Sequence, residues 1–108
     1  MIRPALRVIM TRAPTMTYQR SREVVCREVG GESILVPIRN RVGDLESIFV
    51  LSPVASRIWS LLDAPTSAER IVDEICTEFE VERETAQADV NELLASLELA
   101  SLVNKEPS

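Results

Sequence analysis

Apolar and polar positions alternate in the first half of this chain and recur at helical spacing in the second. Glu23–Val29 is a β-branched run that ends at Gly30-Gly31, a strong hairpin signal. In Ser33–Arg39, Ile34, Val36 and Ile38 lie on one face against Leu35, Pro37 and Arg39 on the other, the period-two pattern of a strand. Asn40-Arg41-Val42-Gly43-Asp44 turns the chain into a third strand, Glu46–Leu51, with Ile48 and Val50 opposite Phe49 and Leu51. A meander with the second strand in the centre follows. Pairing should lapse locally at Pro37, which has no N–H to give to a ladder.

From Ser52 the period changes. Ser52 is a good N-cap and Pro53 fits the first helical position, where its missing N–H costs nothing. Val54, Ile58, Leu61 and Leu62 then share one helical face, and Pro65 follows the end of that helix. Thr66 or Ser67 caps a second helix with the stripe Ile71, Val72, Ile75, Cys76 and Phe79. Glu80–Arg83 links it to a third, from about Glu84 to Leu99, with the stripe Ala86, Val90, Leu93, Leu94 and Leu97. The fold class read from these elements is α+β and winged-helix-like, a three-stranded antiparallel sheet followed by three α-helices.

Three regions result. Residues 1–20 carry four Arg, no acid and two Pro; so little apolar surface cannot offset the entropy of ordering, and a flexible basic tail is expected. Its one strand-like stretch, Leu6–Met10, offers pairing to a sheet edge of its own chain or of a neighbour, a route to a homodimer. Residues 21–104 form the folded domain, and residues 105–108 are expected to fray. The last strand of the meander is apolar on both faces. One face covers the helices; the other needs a partner, a tail or a ligand.

Charge sharpens this picture. Residues 1–41 hold eight Arg and three Glu, whereas residues 42–108 hold four basic and fourteen acidic side chains. A basic arm thus sits on an acidic body. The expected third helix offers Glu84, Gln87, Asp89, Asn91, Glu92 and Glu98 where a DNA-reading helix would carry Arg or Lys, so nucleic acid is not an expected partner. No stretch is long and apolar enough for a membrane span, and Pro4, Arg7, Arg12 and Pro14 interrupt any signal-peptide core, which makes the cytoplasm the expected compartment.

The chain has no His, and its one Lys is Lys105. The commonest general base, zinc ligand and Schiff-base former are therefore missing or misplaced. Cys26 and Cys76 stand outside any Cys-x-x-Cys spacing and read as small hydrophobes. The run Glu78, Glu80, Glu82 and Glu84 lacks the Gly and Asn spacing of a calcium loop and reads as a solvated connection. Trp59 reads as core. Neither enzyme activity, nor a cofactor, nor a metal is expected.

The strand ending in Leu51-Ser52, followed by Ala55, Ile58-Trp59 and Leu61-Leu62-Asp63, resembles the PqqD family, the peptide chaperones of pyrroloquinoline quinone synthesis. The resemblance continues through Thr66–Ile71 and Asp89-Val90, Leu93-Leu94, Leu97 and Leu102-Val103, and covers about residues 21–104. Ser52 stands where the family commonly has Asn, and Asp63-Ala64 where it commonly has Asp-Gly; both Ser and Asn cap helices, so that role survives. The resemblance implies a non-catalytic module that binds the leader of a ribosomally made precursor peptide and presents it to a radical-SAM or other peptide-modifying enzyme. It implies a peptide added as a strand in the cleft between the third strand and third helix. The candidate residues are Ser47, Ile48, Phe49 and Val50 on the strand and Val90, Leu93, Leu94 and Leu97 on the helix, core packing claiming most of those four. The alternative reading is an acidic winged-helix domain that binds another protein, and a more distant one a DNA-binding regulator.

Overall fold

The computed structural model describes residues 15–38 and 48–107. In chain order these form β1 (Met16–Arg20), β2 (Val24–Val29), β3 (Glu32–Pro37), β4 (Phe49–Leu51), α1 (Pro53–Leu61), β5 (Thr66–Ser67), α2 (Ala68–Glu78), α3 (Arg83–Leu99) and β6 (Val103–Pro107). The strands make two antiparallel sheets, ordered β2-β3-β4 and β5-β1-β6.

The first sheet is the expected meander. Gly30 and Gly31 take φ values of +62° and +86°, the left-handed pair that a two-residue hairpin requires, and Val29 closes the turn opposite Glu32. Pro37 is the last residue of β3 and lies opposite Val24. The amide of Ile38 donates to Glu23 O at 3.0 Å on the β2 side. By alternation the missing N–H of Pro37 falls on the β4 side, beyond the last described β3–β4 pair at Leu35 and Phe49.

The second sheet corrects two expectations. Met16–Arg20 is a strand rather than tail, and Asn104–Pro107 is paired rather than frayed. Each supplies the other's ladder, from Met16 opposite Pro107 to Arg20 opposite Val103. Neither segment has an apolar period of its own, because most of their side chains are polar. What fixes them is their neighbours: Leu102 and Val103 are buried, and Tyr18 packs against the core. Leu6–Met10, the segment expected to seek a sheet edge, lies outside the described residues.

Helix ends explain how the chain leaves each helix. Ser52 Oγ accepts from the Ala55 amide at 3.2 Å, and Ser67, rather than Thr66, accepts from Arg70 at 3.1 Å. α3 begins at Arg83 without a side-chain cap and ends in a Schellman turn. There Ser101 N–H donates to Glu98 O and Leu102 N–H to Leu97 O, with Ser101 at φ 63°.

The core gathers Leu35 and Leu51 from the meander, Ile58, Trp59 and Leu62 from α1 and the residue after it, Ile71, Val72 and Ile75 from α2, and Ala86, Val90, Leu94 and Leu97 from α3. In α1 the inward face is centred on Ile58 and Trp59, with Ala55 partly buried; Val54, expected inward, is exposed.

Candidate functional site

β4 is an edge strand of the meander. Opposite residues on β3 and β4 are Ser33 and Leu51, Ile34 and Val50, and Leu35 and Phe49. Because Ile38 bonds to β2, alternation directs Ser33 and Leu35 toward β4 and leaves the N–H and C=O of Val50 facing the open side. Among the described residues no strand pairs with that side, so its main chain is available to a further strand.

The side chains divide by face. Phe49 is half-buried against the core and Leu51 is buried, whereas Ile48 and Val50 are 54% and 62% exposed. Ile48 and Val50 do not stand alone. Val36 on β3 and Val25 on β2 are opposite each other and exposed, and continuing the β3–β4 register sets Ile48 in the same row. Ile34 and Val50 form the neighbouring row. One row of the outer face is thus apolar across three strands, and the neighbouring row runs from Arg27 through Ile34 to Val50 at the edge of β4.

The helical candidates are placed differently. Val90, Leu94 and Leu97 are at most 2% exposed and belong to the core, which removes their side chains from any open cleft. Leu93 is half-buried at the margin of that core, as Phe49 is on the strand. Ser47 lies outside the described residues. Reading the sequence missed the contribution of Val25 and Val36. The alternation of Ile34, Val36 and Ile38 was visible, but two apolar faces left undecided which one the helices cover.

β4 itself, Phe49–Leu51, carries no charged side chain. The shifted titrations belong to ion pairs on the helices: Glu78 is held below its usual range chiefly by hydrogen bonds from Arg57, and Arg57 and Arg83 are raised by Glu78 and Asp73. Among the described residues no group of three or more His, Cys, Asp or Glu side chains is placed to hold a metal ion. What β4 presents is main-chain hydrogen bonding flanked by apolar side chains.

The family described as Coenzyme PQQ synthesis protein D (PqqD) matches residues 33–103, from β3 to the start of β6. This chain belongs to the PqqD family. The match takes in the β4 edge and all three helices, while β1 and β2 precede it. Among solved structures, TbiB1 in complex with the TbiA(beta) leader peptide is 34% identical, with a TM-score of 0.67; the similarity covers 80% of this PqqD-family chain and 94% of that one. Comparison with curated proteins returns no match.

Proposed function

We propose that this PqqD-family protein binds the leader of a ribosomally made precursor peptide along β4 and presents it to a modifying enzyme, without performing chemistry itself. The observation that carries this reading is the free β4 edge, with exposed Ile48 and Val50 beside an unpaired main chain. An added strand draws affinity from main-chain bonds and specificity from alternate side-chain contacts. Phe49 and Leu93, half-buried at the core's margin, are the side chains that would meet the inward-facing residues of that peptide. The complex of TbiB1, a chain 34% identical, with a leader peptide supports leader binding here.

The receiving enzyme in this reading is a radical-SAM or other peptide-modifying enzyme of the cytoplasm. Among the described residues no helix is long and apolar enough to cross a membrane. Self-association through residues 1–20 now concerns residues 1–14, since Met16–Arg20 is engaged in β1.

The test is an amide chemical-shift titration of the chain with the leader of a precursor peptide encoded beside its gene. Shifts centred on residues 48–51 and around Leu93 support the reading. Shifts confined to the Phe79–Glu82 connection would sink it.

A further inference from the structure

Among the described residues the meander has a second free edge, that of β2, on the side away from β4. Beside it opens a cavity of about 410 Å³ at the junction of the two sheets. Its lining is rich in donors. Arg20 projects from the end of β1, with its guanidinium 5.6 Å from the Trp59 ring centroid. One of its nitrogens donates to Asp63 Oδ1 at 2.9 Å, which holds the group in place over the indole. Gln19 Nε2 donates to the Asp63 carbonyl at 3.2 Å. Arg22 is exposed on the same lining and has no ion pair among the described residues.

Trp59 also lines this cavity, and it is 3% exposed. Its indole N–H has no acceptor among the described residues. A buried donor without an acceptor is costly, because water's hydrogen bond has been lost and not replaced. Asp63 is the one carboxylate on the lining, and Arg20 already engages it. Arg20 and Arg22 therefore line a space in which, among the described residues, the one carboxylate is already paired.

The adjoining backbone is equally open. Val25 and Arg27 bond toward β3 by the alternation that Ile38 and Glu23 set, so the N–H and C=O groups of Val24, Cys26 and Glu28 face outward. Val24 and Cys26 themselves line the cavity. We propose that the β2 edge and this cavity form a second docking strip, which takes an acidic extended peptide segment. The segment's backbone adds to β2 between Val24 and Glu28, and its carboxylate enters the cavity between Arg20 and Arg22. Charge on the cavity side orients the ligand: Arg20 and Arg22 line the cavity at the Val24 end. Glu28 shares the face of Val24 and Cys26 and repels an acid at the other end, and Arg27 lies on the opposite face. Two strand spacings, roughly 10 Å, separate this strip from β4, so it stands independently of leader binding there.

The test uses the full chain and two capped pentapeptides, acetyl-Val-Glu-Val-Glu-Val-amide and its counterpart with Gln in place of Glu. The sole Trp of the chain makes the indole N–H resonance an unambiguous reporter. The acidic peptide is expected to shift that resonance and the amides of Val24, Cys26 and Glu28 saturably. The neutral peptide should bind about tenfold more weakly, the worth of charge-assisted hydrogen bonds to one carboxylate. Arg22→Gln should lose about the same factor for the acidic peptide, whereas Ile48→Arg should leave it unchanged. Equal binding of the two peptides, no saturable shift at millimolar peptide, shifts centred on Val50, or undiminished affinity in Arg22→Gln would each overturn the proposal. Failure of leader binding at β4 would be read on Ile48 and Val50 and would not touch it.

Discussion

Arg57 grips both carboxylate oxygens of Glu78, each at 2.7 Å, and so ties the middle of α1 to the last residue of α2. Bidentate geometry of this kind is the strong form of an ion pair. The hydrogen bonds from Arg57 hold the Glu78 carboxyl below its usual range, against a smaller opposing effect of burial. A carboxyl lowered on folding contributes stability that is present above its unfolded pKa and lost as pH falls through the folded value. Glu78→Gln is therefore expected to be less stable than the parent at pH 7. The difference should shrink as pH falls below the ordinary carboxylate value of 4.5. Paired melting curves at descending pH read this directly; a difference that grows in acid would reverse the assignment.

Trp59→Ala should destabilise the domain by about 3–5 kcal/mol, as truncation of a buried aromatic does. Trp59 shares the core with Ile58, Leu62, Ile71 and Leu94, which cannot collapse into the volume of an indole. Urea unfolding followed by circular dichroism measures it. An unchanged midpoint would show that the ring contributes nothing to packing.

Position on β4 separates binding from stability. Val50→Arg and Ile48→Arg place charge on exposed sites and should abolish leader binding while changing stability by no more than about 0.5 kcal/mol. Phe49→Arg should instead lower the melting temperature, because Phe49 packs against the core. Calorimetric titration and melting of the three variants distinguish these outcomes, and equal behaviour of all three would contradict the assignment of faces.

Ser101 holds the left-handed position of the Schellman turn at φ 63°. An L-residue there costs roughly 1–2 kcal/mol relative to a relaxed backbone, and Gly is the residue that helix ends favour at this point. Ser101→Gly should stabilise the domain by about 1 kcal/mol, seen as a rise of roughly 4–8 °C in melting temperature. A fall would mean that the Ser side chain makes a contact worth more than the strain.

A tether has a kinetic signature. If the protein acts only by holding a flexible peptide near its enzyme, modification should require it at low peptide concentration and require it less as peptide rises, since tethering supplies effective concentrations near the mM range. Reconstitution across a peptide series checks this. Persistent dependence at saturating peptide would mean that the module also activates the enzyme.

The meander, the three helices and most of the core were legible because each depends on a local period: alternation in Ser33–Arg39, helical spacing through Ile71, Val72 and Ile75, and the Gly-Gly turn. Ser52 announced its helix by chemistry alone, and Thr66-Ser67 announced the next without deciding between the two caps. The β5-β1-β6 sheet was not legible. Met16–Arg20 and Val103–Pro107 are mostly polar, and each is a strand only through partners far along the chain, which no local window contains. The donor-rich cavity escaped for the same reason, since Arg20, Arg22, Trp59 and Asp63 converge only after the two sheets meet. At β4 the candidate strand was readable, but two apolar faces in the sequence did not reveal which would be covered.

The β1–β6 ladder also sets a timetable for synthesis. Thr17 hydrogen-bonds to Glu106, 89 residues further on, so β1 leaves the ribosome long before its partner exists. At about 5–20 residues per second the wait is roughly 5–20 s. The meander, α1 and β5 are complete within that interval, so Tyr18 can meet Thr66 early, yet its other neighbour, Lys105, is missing until the last helix has emerged. A nascent chain stalled after α3 would therefore carry β1 with one edge on β5 and the other open to any strand, and the chain is most vulnerable to mispairing in the interval before β6 emerges.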